Sequence, residues 1–346
     1  MKIVYAGLQS DRYDTARGSS FEHNNFFLSL KNFPRTKVFY FPYERILVGG
    51  RKKFNQELLK IIEGEAPDLF FAFMYTDELD FRTLDEIKKK TTSLAWFSDD
   101  HWRLYNYSRF YAPHFTWAIT TYSRAPAIYA RYNIKNIIRS QWGCDSAIYK
   151  PAKAKQHQLK TDITFIGQRN PARKKIINHL ARAGLKVECF GAGWPKGRIS
   201  QEKMIEVFQI SKINLNFNNP PSPFSPHRLG RIFLRRSRNL IVPDIHFISN
   251  LKSWRRMGIP QIKARPFEIA GSGGFCLSGW ADDIQNYFIP DKEMVFYHNL
   301  EELAQKIKFY LYDNESRENI RRAGYLRTAQ EHSYEQRFHQ IFKKIF

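Results

Sequence analysis

The feature that most constrains the fold is an alternation of short apolar runs with amphipathic stretches over the first 150 residues. Each apolar run has four to six residues and predicts a strand, and helical segments such as Phe21–Leu30 lie between the runs. This alternation predicts a parallel, doubly wound α/β sheet. The predicted strands are Lys2–Ala6, Lys37–Phe41, Leu69–Met74, Leu94–Phe97 and Trp117–Thr120.

A second alternation begins after the polar, basic stretch Lys150–Lys160, which has no periodicity and is predicted to be a linker. It contains strands at Asp162–Ile166, Val187–Phe190 and Ile213–Phe217, and a helix at Pro171–Ala183 with proline in its first turn. We therefore predict two Rossmann-like domains that face a cleft, with ligands at the carboxyl ends of the strands. The predicted boundaries are 1–150 for the first domain, 151–160 for the linker, 161–330 for the second domain and 331–346 for a C-terminal helix.

The segment Lys263–Cys276 (KARPFEIAGSGGFC) predicts a site for a nucleotide sugar. Glu268 opens a predicted helix, where its charge complements the positive end of the helix dipole. Gly273 and Gly274 allow the backbone to approach a bulky group, and free N–H groups there would bind a phosphate. A carboxylate for sugar hydroxyls beside amides for phosphate suits such a ligand.

This segment resembles the group 1 glycosyltransferases of the GT-B fold, and most closely their CgeB-like (spore maturation protein) branch. The likeness continues through residues 289–338, where a short strand, two helices and a His-Ser-Tyr signal (His332, Ser333, Tyr334) follow the C-terminal pattern of that branch. The resemblance implies GT-B architecture, in which two Rossmann-like domains face a cleft and the C-terminal helix packs back toward the first domain.

The same resemblance implies a hexosyltransferase-type enzyme that moves a sugar from a nucleotide-diphosphate sugar to a hydroxyl acceptor. The acceptor would be a surface glycan, a lipid-linked sugar or a protein, and the family favours a retaining outcome. The family often carries a second glutamate near the transferred sugar, eight residues before the position of Glu268, where this chain has Pro260. This departure keeps a rival hypothesis open, namely a non-catalytic polyanion-binding protein that retained the fold.

The resemblance also assigns roles to residues of the segment around Glu268. Glu268 matches the glutamate that binds the donor's ribose, since a carboxylate can accept both hydrogen bonds of a vicinal diol. The alternative is an acid that only stabilises its own helix. Gly273 and Gly274 match the glycine turn near the phosphate, and the alternative for them is close packing of helix on strand.

A departing nucleoside diphosphate needs cations nearby, because negative charge builds on its leaving oxygen. Lys263 and Arg265 form one predicted pair. Arg169 and Arg173 form another, after the strand and tight turn at Gly167, where the family holds the diphosphate. The alternative for each of these cations is a solvated surface charge.

In the first domain, the polar residues Ser98–Trp102 directly follow the fourth predicted strand and are expected at the cleft. Asp100 and Asp99 are predicted to orient or deprotonate an acceptor hydroxyl, and His101 could do the same near neutral pH. The alternative is a loop that caps the next helix. Gly18 resembles the glycine of the loop that approaches the donor phosphate from this domain.

Neither a catalytic metal nor another cofactor is implied. No Asp-x-Asp motif follows a predicted strand, and no histidine or cysteine cluster has ligand spacing. The three cysteines lie far apart, which predicts a reduced, cytoplasmic protein. No apolar run approaches the ~20 residues that span a bilayer, so any membrane contact is expected to be peripheral, on the inner face.

The formal net charge of +22 favours polyanionic partners. No specific nucleic acid is expected, because zinc-finger and RNP-type patterns are lacking, and a nucleic-acid-modifying enzyme is the weakest hypothesis. Residues 218–257 look like an insertion in the family outline, and five arginines there could contact an anionic membrane. The alternatives are a solvated loop or a clamp on an anionic glycan. The arginines are Arg228, Arg231, Arg235, Arg236 and Arg238.

Overall fold

The computed structural model describes residues 1–152, 159–218 and 224–346, except for the side chain of His227. Most of the predicted linker 151–160, and positions 219–223 of the predicted insertion, lie outside the described residues. The chain divides into two compact units. Unit 1 comprises Met1–Gln141, Pro223–Met257 and Arg337–Phe346, and unit 2 comprises Trp142–Ser222 and Gly258–Gln336.

Unit 1 is built on a parallel sheet of six strands in the order β2-β1-β3-β4-β5-β6. The register pairs Ile3 with both Val38 and Leu69, so β1 lies between β2 and β3. The five strands predicted here are confirmed within two residues at each end, whereas the three-residue β6 was missed. The strands are β1 (Lys2–Gly7), β2 (Lys37–Pro42), β3 (Leu69–Met74), β4 (Thr92–Phe97), β5 (Trp117–Thr120) and β6 (Ile137–Arg139).

Helical segments connect these strands, and local capping explains where several of them begin. At the start of α3, for example, the Asp80 carboxylate accepts a hydrogen bond from the Thr83 N–H at 2.8 Å. Two π-helical turns, His23–Phe27 and Leu104–Ser108, adjoin short α-helices. The helices are α1 (Leu28–Lys31), α2 (Ile46–Glu65), α3 (Phe81–Lys90), α4 (Asp100–Arg103), α5 (Arg109–Tyr111) and α6 (Ala125–Ala130).

Unit 2 contains a parallel sheet of five strands in the order β13-β12-β9-β7-β8. The first strand of the unit, β7, has the second strand on one side and the third, β9, on the other. The strand order therefore reverses between β7 and β9, and ligands of such sheets bind at this point. The strands are β7 (Thr161–Ile166), β8 (Glu188–Phe190), β9 (Ser211–Asn216), β12 (Cys276–Gly279) and β13 (Val295–Tyr297).

The helices of unit 2 pack around this sheet. Asn170 caps α7 by accepting the Arg173 N–H at 2.9 Å, and Pro171 occupies the first turn, as predicted. Ile176 and Leu180 of α7 are buried with Phe165 of β7 and Phe217 in one apolar core. The helices are α7 (Pro171–Arg182), α8 (Gln201–Ile210), α11 (Arg265–Gly271), α12 (Leu300–Tyr312) and α13 (Asn314–Glu331).

The last helix, α14 (Tyr334–Ile345), returns the chain to unit 1, as the resemblance implied. The buried Phe338 ring lies 5.9 Å from the ring of Phe26 and 6.0 Å from that of Phe71. The ring of Phe342 lies 5.4 Å from that of Phe33. Residues 337–346 therefore complete the apolar core on one side of the unit 1 sheet.

Residues 224–257 of the predicted insertion also belong to unit 1, although the sequence predicted them in the second domain, whereas Asn218 lies in unit 2. We call residues 224–257 the inserted segment. Its anchors are polar: Asp77 accepts from Arg235 at 2.9 Å, and Asn250 accepts from Asn106 at 2.8 Å. Its elements are α9 (Pro226–Gly230), the antiparallel pair β10 (Leu234–Ser237) and β11 (Leu240–Pro243), and α10 (Phe247–Arg256). No helix in the described part of the chain is long and apolar enough to cross a membrane.

Candidate functional site

The carboxyl end of β7 makes a close turn at Gly167, as the sequence predicted. The Gly167 N–H donates to the Phe190 carbonyl at 2.9 Å, and the Gly167 carbonyl accepts from the Trp194 indole at 2.9 Å. Gly191, with φ of +123°, faces this turn, and a Cβ there would lie 2.4 Å from the Gly167 oxygen. The two backbones therefore meet where β7 and β8 end, and β7 is also one of the two strands between which the strand order of unit 2 reverses.

Two of the predicted cations, Arg173 and Arg265, influence each other electrostatically. Burial lowers the pKa of the Arg173 guanidinium, and the positive charge of Arg265 lowers it further. Arg173 donates from Nη1 to the Gln168 carbonyl at 2.7 Å and lies 5.4 Å from the Phe165 ring. An anion placed near both guanidinium groups would relieve their repulsion, which is the chemistry expected of a diphosphate site.

The other two predicted cations lie at different places in unit 2. Arg169 lies 5.7 Å from the Trp194 ring, and these two residues line a shallow groove of about 530 Å³ together with Lys174 and Asn178. Lys263 is half-buried in the loop that precedes α11. Among the four, Arg265 lies near enough to Arg173 for its charge to lower the pKa of the Arg173 guanidinium.

Glu268 lies in the first turn of α11 and is almost completely buried. Its Oε2 lies 2.6 Å from Nη1 of Arg265, three residues earlier, and its Oε1 accepts a hydrogen bond from the Tyr149 hydroxyl at 3.2 Å. The Tyr149 oxygen in turn accepts from the Gln201 amide at 3.1 Å. A fixed carboxylate with one hydroxyl partner can exchange that partner for a ligand hydroxyl without losing its ion pair.

The glycine pair has a different role from the one predicted for its amides. The Gly273 N–H donates to the Ala270 carbonyl and the Gly274 N–H to the Ile269 carbonyl, both at 2.9 Å. The expectation of free N–H groups is therefore wrong, because both amides cap the end of α11. A Cβ on Gly274 would lie 2.8 Å from the Phe208 carbonyl oxygen, so the alternative of close packing accounts for this glycine.

A buried polar cluster that the sequence did not predict lies at the carboxyl ends of β9 and β12. Asn216 donates to the Asn218 oxygen at 3.0 Å and to the Ser278 hydroxyl at 2.9 Å. Asn218 donates to the Gly279 carbonyl at 2.7 Å. Polar residues directly after an apolar strand were the available signal. Tyr149 and Gln201 gave no such signal, because their link to Glu268 depends on the tertiary fold.

Asp100, predicted to act on an acceptor, is fully enclosed within unit 1. Its Oδ1 accepts from the Ser108 hydroxyl at 2.5 Å and its Oδ2 from the Tyr129 hydroxyl at 3.0 Å. Burial raises the pKa of the Asp100 carboxyl to about 6, although these hydroxyl bonds oppose the rise. This geometry favours a structural role at the end of β4, and a part in catalysis stays a prediction.

The neighbours of Asp100 complete a strained turn. Asp99 has φ of 58° and ψ of 30°, which is the left-handed region that few residues other than glycine adopt. Its carbonyl nevertheless accepts from the N–H groups of Trp102 and Arg103, so α4 begins here. His101 is buried in α4, and its ring lies 6.3 Å from that of Tyr122. A half-buried Asp99 is therefore the more accessible of the two predicted carboxylates.

Gly18 lies in a loop that closes on itself. Its N–H donates to the Thr15 carbonyl at 3.1 Å, and its own carbonyl accepts from the Asp11 N–H at 3.0 Å. Its φ of +80° lies in the left-handed region that favours glycine. The turn accounts for the glycine, and its predicted approach to a donor phosphate stays a prediction.

The five arginines of the inserted segment do not form one free basic face. Arg228 donates to the Trp254 carbonyl, and Arg231 lies 4.6 Å from the Trp102 ring. Burial lowers the pKa of the Arg231 guanidinium to about 10, and the charge of Arg103 lowers it further. Arg235 pairs with Asp77.

The last two of these arginines also have contacts within unit 1. Arg236 donates to the Tyr75 hydroxyl at 3.3 Å, and the Arg238 N–H donates to the Thr76 hydroxyl at 2.7 Å. The predicted membrane contact therefore competes with partners that the side chains of four of these arginines already have, whereas Arg238 is held here by its backbone N–H.

Two units that each contain a parallel α/β sheet agree with the GT-B class of fold, which the solved structures below share. The chain belongs to the Glycosyl transferase-like family, whose model matches residues 169–343. That match covers half of the sequence and includes Arg169, Arg173, Arg265 and Glu268. The match does not extend to the CgeB-like branch, which stays a prediction.

Solved structures share this fold over the whole chain. HepE from Anabaena, solved in complex with UDP, has a TM-score of 0.61 at 9% identity, over 100% of this chain and 99% of that one. Sucrose-phosphate synthase from Thermosynechococcus elongatus has a TM-score of 0.62 at 10% identity, with the same coverage. AviGT4, a glycosyltransferase involved in avilamycin A biosynthesis, has a TM-score of 0.58 at 11% identity, over 99% and 96%. No curated protein sequence matches the chain.

Proposed function

We propose that the protein is a glycosyltransferase that uses a nucleotide-diphosphate sugar as donor and a hydroxyl group as acceptor. In this proposal the donor binds at the carboxyl edge of the unit 2 sheet. Glu268 accepts the ribose hydroxyls, and Arg265 and Arg173 bind the diphosphate. Family membership supports the reaction class, and HepE, a structure of the same fold, was solved with UDP and with UDP-glucose.

The observation that carries this proposal is the setting of the Glu268 carboxylate. It is buried beside one guanidinium and one hydroxyl, at the start of a helix in the matched region. A buried carboxylate needs strong partners, and ligands of open α/β sheets bind at the carboxyl ends of the strands. In this proposal a ribose hydroxyl would replace the Tyr149 hydroxyl as the partner of Glu268 Oε1.

The guanidinium pair supplies the second part of the chemistry. As the bond to the sugar breaks, negative charge grows on the diphosphate oxygen, and positive groups fixed beforehand stabilise that charge. Arg173 and Arg265 are held in place by a carbonyl and a carboxylate before any donor arrives. We therefore propose transfer without a metal ion, and activity should survive a chelator such as EDTA.

The finer assignments rest on the resemblance alone. We propose a hexose as the transferred sugar, retention at its anomeric carbon and membership of the CgeB-like branch. The acceptor would be a surface glycan, a lipid-linked sugar or a protein. Proton nuclear magnetic resonance of the product would distinguish retention from inversion.

A thermal-shift screen with UDP, GDP, ADP, dTDP and CMP, each alone and as its sugar conjugate, tests the proposal. Binding to the folded state at a hundredfold excess over the dissociation constant adds about 2.7 kcal/mol of stability. We expect one of these nucleotides to stabilise the protein. We also expect the protein to hydrolyse the sugar conjugate of that nucleotide slowly when no acceptor is present. The alternative, a polyanion-binding protein, predicts a different result. None of these nucleotides would stabilise the protein, whereas heparin would stabilise it, and that effect would weaken as salt rises.

A further inference from the structure

The helix α10 of the inserted segment exposes apolar side chains and buries polar ones. Its buried face is polar: Asn250 accepts from Asn106 at 2.8 Å and donates to the Ile232 carbonyl at 3.1 Å, and Ser249 accepts from Arg109 at 3.1 Å. Its exposed face carries Phe247, Ile248 and Leu251. A surface helix of a globular protein normally buries its apolar face, so this reversal indicates that the apolar face has another partner.

The hairpin next to α10 presents apolar side chains in the same way. Arg235 and Ser237 lie on the face that binds Asp77. In the antiparallel register Arg236 pairs with Ile241, so both lie on the opposite face, where Arg236 also donates to the Tyr75 hydroxyl. Ile241 is 68% exposed.

A ring contact joins the exposed face of α10 to the start of the hairpin. The Phe233 ring, just before β10, lies 5.7 Å from the Phe247 ring, and Ile245 links β11 to α10 with 79% of its area exposed. Ile248 is 77% exposed. We call this set the apolar surface. It consists of Phe233, Ile241, Ile245, Phe247, Ile248 and Leu251.

Cations border the apolar surface. Lys252, Arg255 and Arg256 are exposed on α10, and helical spacing places Arg255 and Lys252 beside Leu251 and Ile248. The sequence of residues 224–257 contains one acidic residue, Asp244, and that side chain is buried and bonded to His246. The surface therefore combines apolar and positive groups without an exposed carboxylate from its own segment.

We propose that this apolar surface inserts into the interface of an anionic lipid bilayer. The apolar side chains would enter the boundary between headgroups and acyl chains, while Lys252, Arg255 and Arg256 contact anionic headgroups. A second copy of this chain fits less well, because face-to-face pairing would bring the same cations together. The proposal concerns unit 1 and does not depend on donor chemistry.

Co-sedimentation with vesicles tests the proposal. Vesicles of phosphatidylcholine alone would be compared with vesicles containing about one third phosphatidylglycerol, at low and physiological salt. We expect the protein to bind the anionic vesicles, with the bound fraction falling as salt rises. The variant Ile241→Ser/Ile245→Ser/Ile248→Ser should bind at least about tenfold more weakly. The variant Lys252→Gln/Arg255→Gln/Arg256→Gln should lose the preference for phosphatidylglycerol.

Matched controls replace exposed groups of unit 2. Phe309→Ser/Tyr312→Ser/Leu326→Ser removes exposed apolar side chains, and Lys175→Gln/Arg182→Gln/Lys186→Gln removes exposed cations. Both should bind like the parent. Thermal unfolding checks folding, and the single variant Ile248→Asp should weaken binding on its own. Failure of the parent to bind anionic vesicles at low salt, or equal binding by the serine variant, overturns the proposal. Dimerisation that the serine variant abolishes also overturns it, in favour of an interface between copies.

Discussion

The carboxyl edges of the two parallel sheets differ in what lies against them. In unit 2, the end of β7 leads to Gly167 and then to Arg173. The charge of Arg265 lowers the pKa of the Arg173 guanidinium. In unit 1, the loop after β3 is bound by the inserted segment, since Asp77 accepts hydrogen bonds from Arg235 and Ser237. Similar strand topology thus supports a charged edge in one unit and a covered edge in the other.

The difference shows that buried carboxylates in the two units can have different roles. Glu268 and Asp100 are both buried carboxylates beside a tyrosine hydroxyl. Glu268 also forms an ion pair with the Arg265 guanidinium. Asp100 instead accepts hydrogen bonds from hydroxyl groups, and burial raises its pKa to about 6. The first setting suits a carboxylate that binds a ligand, and the second suits a carboxyl that holds a turn in place.

The largest expected effect concerns Asp100, through the pH dependence of stability. Its pKa is about 6 in the folded protein against 3.8 ordinarily, so between these values the folded state holds a proton that the unfolded state has released. Asp100 therefore makes the folded state less stable as pH rises from about 4 to about 6. Relative to Asp100→Asn, the parent should lose roughly 2–3 kcal/mol over this range. Urea unfolding at several pH values measures this difference.

A second variant sharpens the test of Asp100. Tyr129→Phe removes a hydroxyl that lowers the Asp100 pKa, so the range in which stability falls should move to higher pH. A difference between parent and Asp100→Asn that stays constant with pH would contradict the assignment. Turnover reduced about a hundredfold in folded Asp100→Asn, with donor affinity unchanged, would restore Asp100 to the mechanism.

The next effect concerns Glu268 and donor affinity. Glu268→Gln keeps the size of the side chain but removes the charge, which should weaken binding of the nucleoside diphosphate by about 1.5–3 kcal/mol. Isothermal titration calorimetry gives the dissociation constant, and Glu206→Gln, an exposed ion-pair residue of α8, is the matched control. The ribose role fails if the folded Glu268→Gln protein binds the nucleotide as tightly as the parent does.

Gly274→Ala tests the packing role of the glycine pair. The new Cβ would lie 2.8 Å from the Phe208 carbonyl oxygen, so we expect the free energy of unfolding to fall by about 1–3 kcal/mol. Nucleotide affinity of the folded protein should stay nearly constant. Gly64→Ala is the control, since its Cβ would enter open space among the described residues and a helical alanine is favoured. A stable Gly274→Ala protein that no longer binds nucleotide would return the pair to the donor site.

The smallest effect concerns the link between Asp77 and Arg235. The Arg235 side chain is partly exposed, so Asp77→Asn should reduce overall stability by less than about 1 kcal/mol. Hydrogen exchange in β10 and β11 should nevertheless become faster, because a local anchor is weakened. Asp162→Asn, which removes an exposed pair with Lys212 in unit 2, is the control. Unchanged exchange in the hairpin would mean that other contacts hold the inserted segment.

Much of the fold could be predicted because long apolar runs report buried strands directly. Leu69–Met74 and Trp117–Thr120 were predicted to the residue. The short strand Ile137–Arg139 lacked a run long enough to detect. The sequence did not show to which unit the inserted segment belongs. The segment is anchored by the bond from Arg235 to Asp77, and these two residues lie 158 positions apart in the sequence.

The candidate site was predictable only in part. Glu268 and the nearby arginines were found because the family motif is local, whereas Tyr149 lies 119 residues from Glu268 and gave no signal. The amides of Gly273 and Gly274 were misjudged because sequence does not reveal which carbonyls accept them. Burial of Asp100 was missed for the same reason: the same pattern of residues can face a ligand or the interior.

The placement of α14 has a consequence for how the chain folds during synthesis. The ribosome completes all of unit 2 before it makes Phe338 and Phe342, whose rings pack against Phe26 and Phe33. Unit 1, although it is started first, therefore finishes its core last. Until then the apolar side of its sheet near Phe26 and Phe71 is open to water, and the nascent chain is at its most vulnerable to aggregation.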